Sequence, residues 1–263
     1  MPNIEIKAVS KNFSGAANSY NYWAEPQKRI AEELVKRIIS INPMIHSILD
    51  IGCGTGYVIE QILKYGYSNR IMGIDIAEGM ISFCRDKWKN SQNISFIHAD
   101  MAQFNSEISF NTITSSCALQ WGIDMQQTFT KILSNLNTNG FLALAILIKG
   151  SFYELLESYK KYLNSSLHGI DYRTDLYFKN ILIKNNMEIL IDETETVYSY
   201  HYGNDVLKYF KNIGATFKYN HDYTPLSVKS VNKLIDIYTQ DYADSSGRLP
   251  ISHKVLYLVG RKK

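Results

Sequence analysis

The chain holds 263 residues, of which 45% are hydrophobic and 20% charged, and carries a formal net charge of +3. That size and composition fit one large folded core with a substantial addition, and exclude a disordered or fibrous chain. A charge this mild excludes a broad nucleic-acid surface, and the longest apolar run, residues 141–148, falls far short of the ~20 residues that span a membrane.

Residues 1–10 carry no apolar run of the secretory kind. Residues 13–23 read as a loop, with Ser14-Gly15 and Asn18-Ser19 as breakers. Residues 26–39 read as an amphipathic helix. Ile30, Leu34 and Ile38 recur every fourth position, with Lys28, Glu32, Lys36 and Arg37 elsewhere on the wheel. A βα alternation follows. A strand over 45–51 runs into Gly52-Cys53-Gly54-Thr55-Gly56, and a helix over 57–65 keeps Ile59, Ile62 and Leu63 on one side. Further strands are predicted at 70–76, 94–98, 112–117 and 141–148. Helices are predicted at 78–88 and at 125–136, the latter stopping near Asn139-Gly140. Strands alternating with helices across short connections predict a parallel sheet covered by helices.

The rhythm changes after Gly150. A helix over 152–163 leads into a polar, tyrosine-rich stretch to residue 178. Helices follow at 205–212 and 228–238, and strands at 187–191, 194–200 and 254–259. The predicted organisation has three parts. Residues 1–150 form an N-terminal helical segment and a cofactor-binding core, residues 151–240 a helical insertion or substrate lid with late strands, and residues 241–263 a closing strand. The expected fold is α/β: a Rossmann-like sheet with helices on both faces and a helical insertion after the fifth strand, covering the ligand face. Cys53, Cys84 and Cys117 are far apart and show no ligand spacing. They read as small buried hydrophobes in a reducing cytoplasm, with no metal site.

The glycine loop between the first strand and its helix permits a tight turn and close backbone approach by a ligand, and the helix start adds oriented N–H groups. Asp75, at the end of the second strand, lies at the distance expected of a ribose-binding carboxylate, and Asp100 follows the third strand at the same sheet edge. With Asp50, these place three carboxylates at successive strand ends. The dinucleotide pattern asks for a third glycine at position 57, where this chain has Tyr57. A carboxylate at Asp50 repels a pyrophosphate and suits a cation. S-adenosylmethionine has an ammonium, a sulfonium, a ribose and an adenine, and no phosphate. It matches this charge pattern better than a nicotinamide dinucleotide does.

Asp50 to Gly56, with Asp75 and Asp100, resembles the motif set of class I S-adenosylmethionine-dependent methyltransferases over about residues 30–148. That resemblance implies a cofactor site formed by Asp50, Gly52, Cys53, Gly54, Gly56, Asp75 and Asp100, with the neighbouring Ile76, Met101, Ser116 and Leu119. A second set of segments is similar to the malonyl-acyl-carrier-protein O-methyltransferases of biotin synthesis. These are Phe13-Ser14-Gly15-Ala16-Ala17-Asn18-Ser19-Tyr20 with Pro26-Gln27, Ser116-Cys117-Ala118-Leu119-Gln120-Trp121 with Asp124, Tyr209-Phe210-Lys211-Asn212-Ile213-Gly214-Ala215, and Leu249-Pro250. Ser252-His253 departs from the Thr-Tyr pair usual in that family. The resemblance implies methylation of the free carboxylate of malonyl-acyl carrier protein, or of malonyl-coenzyme A, with neither nucleic acid nor membrane as partner. Tyr20 is then the catalytic lid residue, and Trp121 walls the acceptor pocket. His168 and Arg173 are candidate cations for the acceptor carboxylate. Gln27 and Gln120 lie near the cleft, Gln27 on its surface. Lys208, Lys211 and Lys218 are candidates for docking an acidic carrier. The residues themselves leave open another small-molecule O-, C- or N-methyltransferase and a binding module without turnover.

Overall fold

The computed structural model describes residues 6–41, 45–67, 70–163, 172–215 and 227–263. Two helices, α1 (Ile6–Trp23) and α2 (Glu25–Ser40), precede β1 (Ser47–Ile51), α3 (Tyr57–Lys64), β2 (Arg70–Asp75), α4 (Glu78–Lys87) and β3 (Ile94–His98). Then come β4 (Phe110–Ser116), a 3-10 turn (Leu119–Trp121), α5 (Met125–Ser134) and β5 (Leu136–Leu147). The remainder holds α6 (Tyr153–Leu163), α7 (Asp175–Lys184), β6 (Met187–Tyr202), α8 (Asp205–Asn212), α9 (Val228–Tyr242) and β7 (Arg248–Lys262).

The strands form one sheet in the order β3-β2-β1-β4-β5-β7-β6. The first five are parallel, while β7 runs antiparallel to both β5 and β6. The central strands are apolar because both faces are covered. On one face α2, α3 and α4 bury Ile30, Leu34, Ile38, Ile59 and Ile81 against Ile48 and Ile71. On the other, α5 and α7 bury Phe129, Ile132, Phe178 and Leu182 against Leu142, Leu144, Leu256 and Leu258. The chain leaves β1 toward β2 and β3, then returns to β4 on the other side of β1. The crevice at the carboxyl ends of β1 and β4 is therefore the switch point where such sheets bind ligands.

Several sequence expectations are corrected. Residues 13–23 are not a loop but the second half of α1. Their small side chains are what tertiary packing needs. Ser14 lies so close to Gly79 of α4 that a Cβ there would meet its carbonyl oxygen at 2.4 Å. Ala17 is buried, Ser10 Oγ donates to the Ile76 carbonyl (2.7 Å), and Ser19 Oγ to the Asn212 carbonyl (3.1 Å). Helix α5 ends at Ser134 rather than near Gly140. Asn135 closes it, with its side-chain amide donating to the Lys131 carbonyl and its Oδ1 accepting from Ser106 N–H, and Leu136 already pairs with Phe110. The stretch to residue 178 contains the start of α7, capped by Thr174 Oγ1 accepting from Tyr177 N–H. The two late strands are one, β6, bulged between Ile189 and Ile191.

The helices after β5 gather at the β7–β6 side of the sheet. Helix α6 packs on α9, α7 on β6, and α8 on α1. Between them lies a buried polar chain. Gln27 Nε2 donates to Tyr209 Oη (2.7 Å), which is 2.8 Å from His253 Nε2, and His253 Nδ1 is 3.2 Å from the Val197 carbonyl. Bonding order assigns Nδ1 the proton, and burial holds His253 down at about 4, so the ring is neutral. Gln27, expected at the surface, is thus a buried tie between α2 and α8.

Gly79→Ala is expected to cost about 1–3 kcal/mol, since the backbone of α1 has to shift. Chemical denaturation measures the loss, and faster proteolysis within α1 than within α9 locates it.

Candidate active site

A cavity of about 300 Å³ opens at the switch point. The sequence builds its floor from the ends of the first four strands. The turn after β1 needs left-handed backbone at Gly52 (φ 66°) and Gly54 (φ 54°). At Gly52 a Cβ would also lie 2.2 Å from the Ala118 Cβ, so only glycine fits. Asp75 clips this turn to the next one. Its Oδ2 accepts the Gly54 N–H and its Oδ1 the Ala77 N–H, both at 2.8 Å. Burial pushes the Asp75 carboxyl up, and these two N–H bonds act against that. Asp100 similarly accepts the Ala102 N–H at 2.8 Å.

Of the sequence-derived cofactor residues, Gly52, Gly54, Asp75, Ile76, Asp100, Met101 and Ser116 line the cavity. Cys53 and Leu119 do not; both are buried in the core. Gly56 shapes the loop instead, with Trp88 ring carbons 2.5 Å from where its Cβ would stand. Asp50 also lies outside the lining, beneath the glycine turn. It is 1% exposed, Oδ1 accepts from Thr114 Oγ1 at 3.0 Å, and Oδ2 has no partner. Burial is the main cause that pushes its carboxyl up to about 7. A buried carboxylate oxygen without a donor is costly, and a cation in the neighbouring cavity relieves that cost.

Tyr20 and Trp121 both line the cavity. Burial holds the Tyr20 phenol far above its ordinary value, with Cys117 and Asp75 adding to the effect, so it is a neutral O–H donor. Trp121 meets Phe13 edge-on, with ring centroids 5.8 Å apart. Arg173 is not a wall residue. It sits at the rim, where Nη2 donates to the Ile123 carbonyl at 3.3 Å and the guanidinium lies 5.3 Å from the Tyr177 ring centroid. His168 and Lys218 lie outside the described residues. Lys208 is paired with Asp205 at 2.7 Å. Gln120 is buried, donating to the Cys117 carbonyl at 2.7 Å.

The missed cavity residues include Ile6, Val9 and Phe13 of α1, Cys117, and Gly122, Ile123, Asp124 and Gln127 around the start of α5. Among the described residues, nothing from 151–240 lines the cavity, and α1 supplies one of its walls. Val9 and Phe13 at an i, i+4 spacing were a helical signal hidden by Ser14-Gly15. Cys117, read as a core hydrophobe, has a left-handed φ of 53° and faces the cavity, and burial pushes its thiol up to about 12.

The fit to S-adenosylmethionine rests on this geometry. A glycine cradle stands beside two carboxylates with backbone N–H groups on them, a third carboxylate lies unsatisfied beneath, and the walls are mostly apolar. Among the described residues, no arginine, lysine or histidine lines the cavity to receive a pyrophosphate. Among the described residues, no helix is long and apolar enough to cross a membrane.

Comparison with known proteins agrees with the site. Residues 46–214 match a family model described as a methyltransferase domain. Malonyl-[acyl-carrier protein] O-methyltransferase 2 of Ilyobacter polytropus is 28% identical over 97% of this chain and 98% of its own. The malonyl-[acyl-carrier protein] O-methyltransferase of Bacillus cereus is 27% identical over 95% of each chain. The crystal structure of the YcgJ protein from Bacillus subtilis has the same fold, with a TM-score of 0.62 at 14% identity over 88% of this chain and 97% of that one.

Asp75→Ala is expected to weaken S-adenosylmethionine binding by about tenfold or more, the loss of a charge-assisted pair together with the turn it clips; titration calorimetry measures it. Asp50 gives a pH signature. Its raised carboxyl contributes stability in full below its ordinary value near 3.8 and loses it as pH rises through about 7. Asp50→Asn should therefore flatten the fall in melting temperature across that window, and an unchanged slope contradicts the assignment.

Proposed function

Because the chain belongs to the methyltransferase domain family, we propose that it is a cytoplasmic S-adenosylmethionine-dependent carboxyl O-methyltransferase that converts malonyl-acyl carrier protein to its methyl ester. The observation that carries this reading is that, among the described residues, no histidine or lysine base lines the cavity. Cys117 is a neutral thiol and Tyr20 a neutral phenol, and the carboxylates Asp75, Asp100 and Asp124 are each engaged by backbone N–H groups. An amine or carbon acceptor requires proton removal, whereas a malonyl carboxylate is already ionised at neutral pH. Two relatives that carry this activity in their names match over nearly the whole chain, and the segments around Tyr20, Trp121 and Gly214 are similar to that family's.

S-adenosylmethionine, when bound, supplies an electrophilic methyl group on a sulfonium. What the chain contributes is grip, orientation and exclusion of water. Gly52 and Gly54 let the backbone approach, and Asp75 and Asp100 offer acceptors to hydroxyl and amino groups. Val9, Phe13, Met101 and Trp121 remove water from the path of the attacking oxygen. Tyr20 donates its O–H to hold the acceptor carboxylate. Holding two reactants in line supplies roughly 7–11 kcal/mol in favourable cases, which suits a reaction needing no proton transfer. The methyl ester masks the charge of the malonyl group, so that chain-extending enzymes accept it.

Mass spectrometry of malonyl-carrier protein incubated with enzyme and S-adenosylmethionine should show the mass of one added methyl group. In the same assay Tyr20→Phe should lower turnover by about tenfold, the value of one lost hydrogen bond, while leaving cofactor affinity nearly unchanged. Turnover of a small amine or phenol in place of the malonyl thioester overturns the acceptor assignment.

A further inference from the structure

The mouth of the cavity is marked by Ile123, which lines it and is 45% exposed. Three cations from separate parts of the chain stand on adjoining stretches of backbone beside it. Arg173 reaches the Ile123 carbonyl through Nη2, and its own carbonyl accepts the Lys149 N–H at 3.0 Å. Ile148 N–H donates to the Lys254 carbonyl at 2.9 Å, which places the end of β5 beside β7. The Lys254 side chain then runs over Gly150, where a Cβ would meet Cδ at 3.0 Å and Nζ at 3.9 Å. Lys149 and Lys254 are both exposed.

Among the described residues, no carboxylate lies within ion-pair distance of Lys149, Arg173 or Lys254. Lys161, Lys179, Lys208, Arg248 and Arg261 are all paired. On the rim itself the acids are engaged. Asp175 and Asp192 both hold Lys179, at 2.9 and 3.0 Å, and Asp124 caps α5 by accepting the Gln127 N–H. Beside the cations, Leu176 is 59% and Tyr177 37% exposed. Positive charge that no described carboxylate pairs, alongside exposed apolar side chains, suits a macromolecular partner better than a free ion, since the charges steer it and the apolar groups give it area to bury.

We propose that this rim docks the acidic face of the carrier protein that presents the malonyl thioester, an inference that rests on the proposed function. A thioester on a flexible arm enters past Ile123, and the protein at the other end of the arm comes to lie over Lys149, Arg173 and Lys254. Of the earlier docking candidates, Lys208 is neutralised by Asp205.

The test uses the full chain and its Lys149→Glu/Lys254→Glu double variant. Fluorescence anisotropy with labelled carrier protein should show binding weakened by about tenfold, and the KM for malonyl-carrier protein should rise to match, both differences shrinking in high salt. Turnover of malonyl-pantetheine, which has neither carrier nor phosphate, should stay the same and shows that the variant is folded. Should the charge reversals fail to fold, Lys149→Gln/Lys254→Gln should give the same ordering at about threefold. Equal carrier binding by variant and wild type overturns the docking. So does an equal rise in KM for malonyl-coenzyme A, which assigns the cations to phosphates. A wild-type enzyme that binds carrier through these lysines yet forms no ester keeps the docking and sinks the proposed acceptor.

Discussion

The structure turns on the Asp75 carboxylate, which receives an N–H from each of two successive strand-end turns. One side chain thereby fixes the glycine turn after β1 relative to the start of α4. Backbone donors hold it in place while its remaining lone pairs stay available to a ligand. Gly52 pressed on Ala118 fixes the same turn against β4. The cavity floor is thus set by one polar clip and one steric contact, and the pocket exists as geometry before any ligand enters it. The stacked helices at the far edge of the sheet can differ widely among proteins of this fold without disturbing that floor.

The sheet and the glycine turn were legible in the sequence because both are local. Short apolar runs with breakers at their ends make strands, and Gly52-Cys53-Gly54 between a strand and a helix admits few other readings. What the sequence could not give was depth. Asp50, Asp75 and Asp100 are equivalent in the pattern, at three strand ends, yet two face the cavity and Asp50 lies below it beside Thr114. The likeness of Ser14-Gly15 to a turn was overridden by distant partners: Gly79 and Asn212 supply the contacts that make helix the better state. The cavity wall was hidden for the same reason, since Phe13 and Ile123 meet the glycine turn only after the chain has folded. Helix α7 did announce itself in Thr174 followed by Phe178, Ile181 and Leu182, but the tyrosines before it masked the cap.

The distribution of charge gives the site a direction. Asp50, Asp75 and Asp100 collect at the inner end, around the glycine turn, while Lys149, Arg173 and Lys254, which no described carboxylate pairs, stand on the side of the mouth near Ile123. A positively charged donor and a negatively charged acceptor are therefore drawn to opposite ends of one crevice, and the neutral side chains between them leave the transfer itself in a region of weak hydration. The neutral Tyr20 and Cys117 suit that middle zone, because a charge on either would compete with one of the reactants.

Helix α1 is anchored by residues made much later than itself. Gly214, with a φ of 73°, brings its Cα against Phe13, where a Cβ would stand 2.9 Å from the Phe13 Cα, and Ser19 bonds to the Asn212 carbonyl. During vectorial synthesis on the ribosome the glycine turn and β1 to β4 emerge long before α8 does. For most of translation the nascent chain therefore has its cofactor cradle but lacks the support that α8 gives the wall above it. Closure of the pocket therefore rests on a long-range contact, of the kind that slows folding.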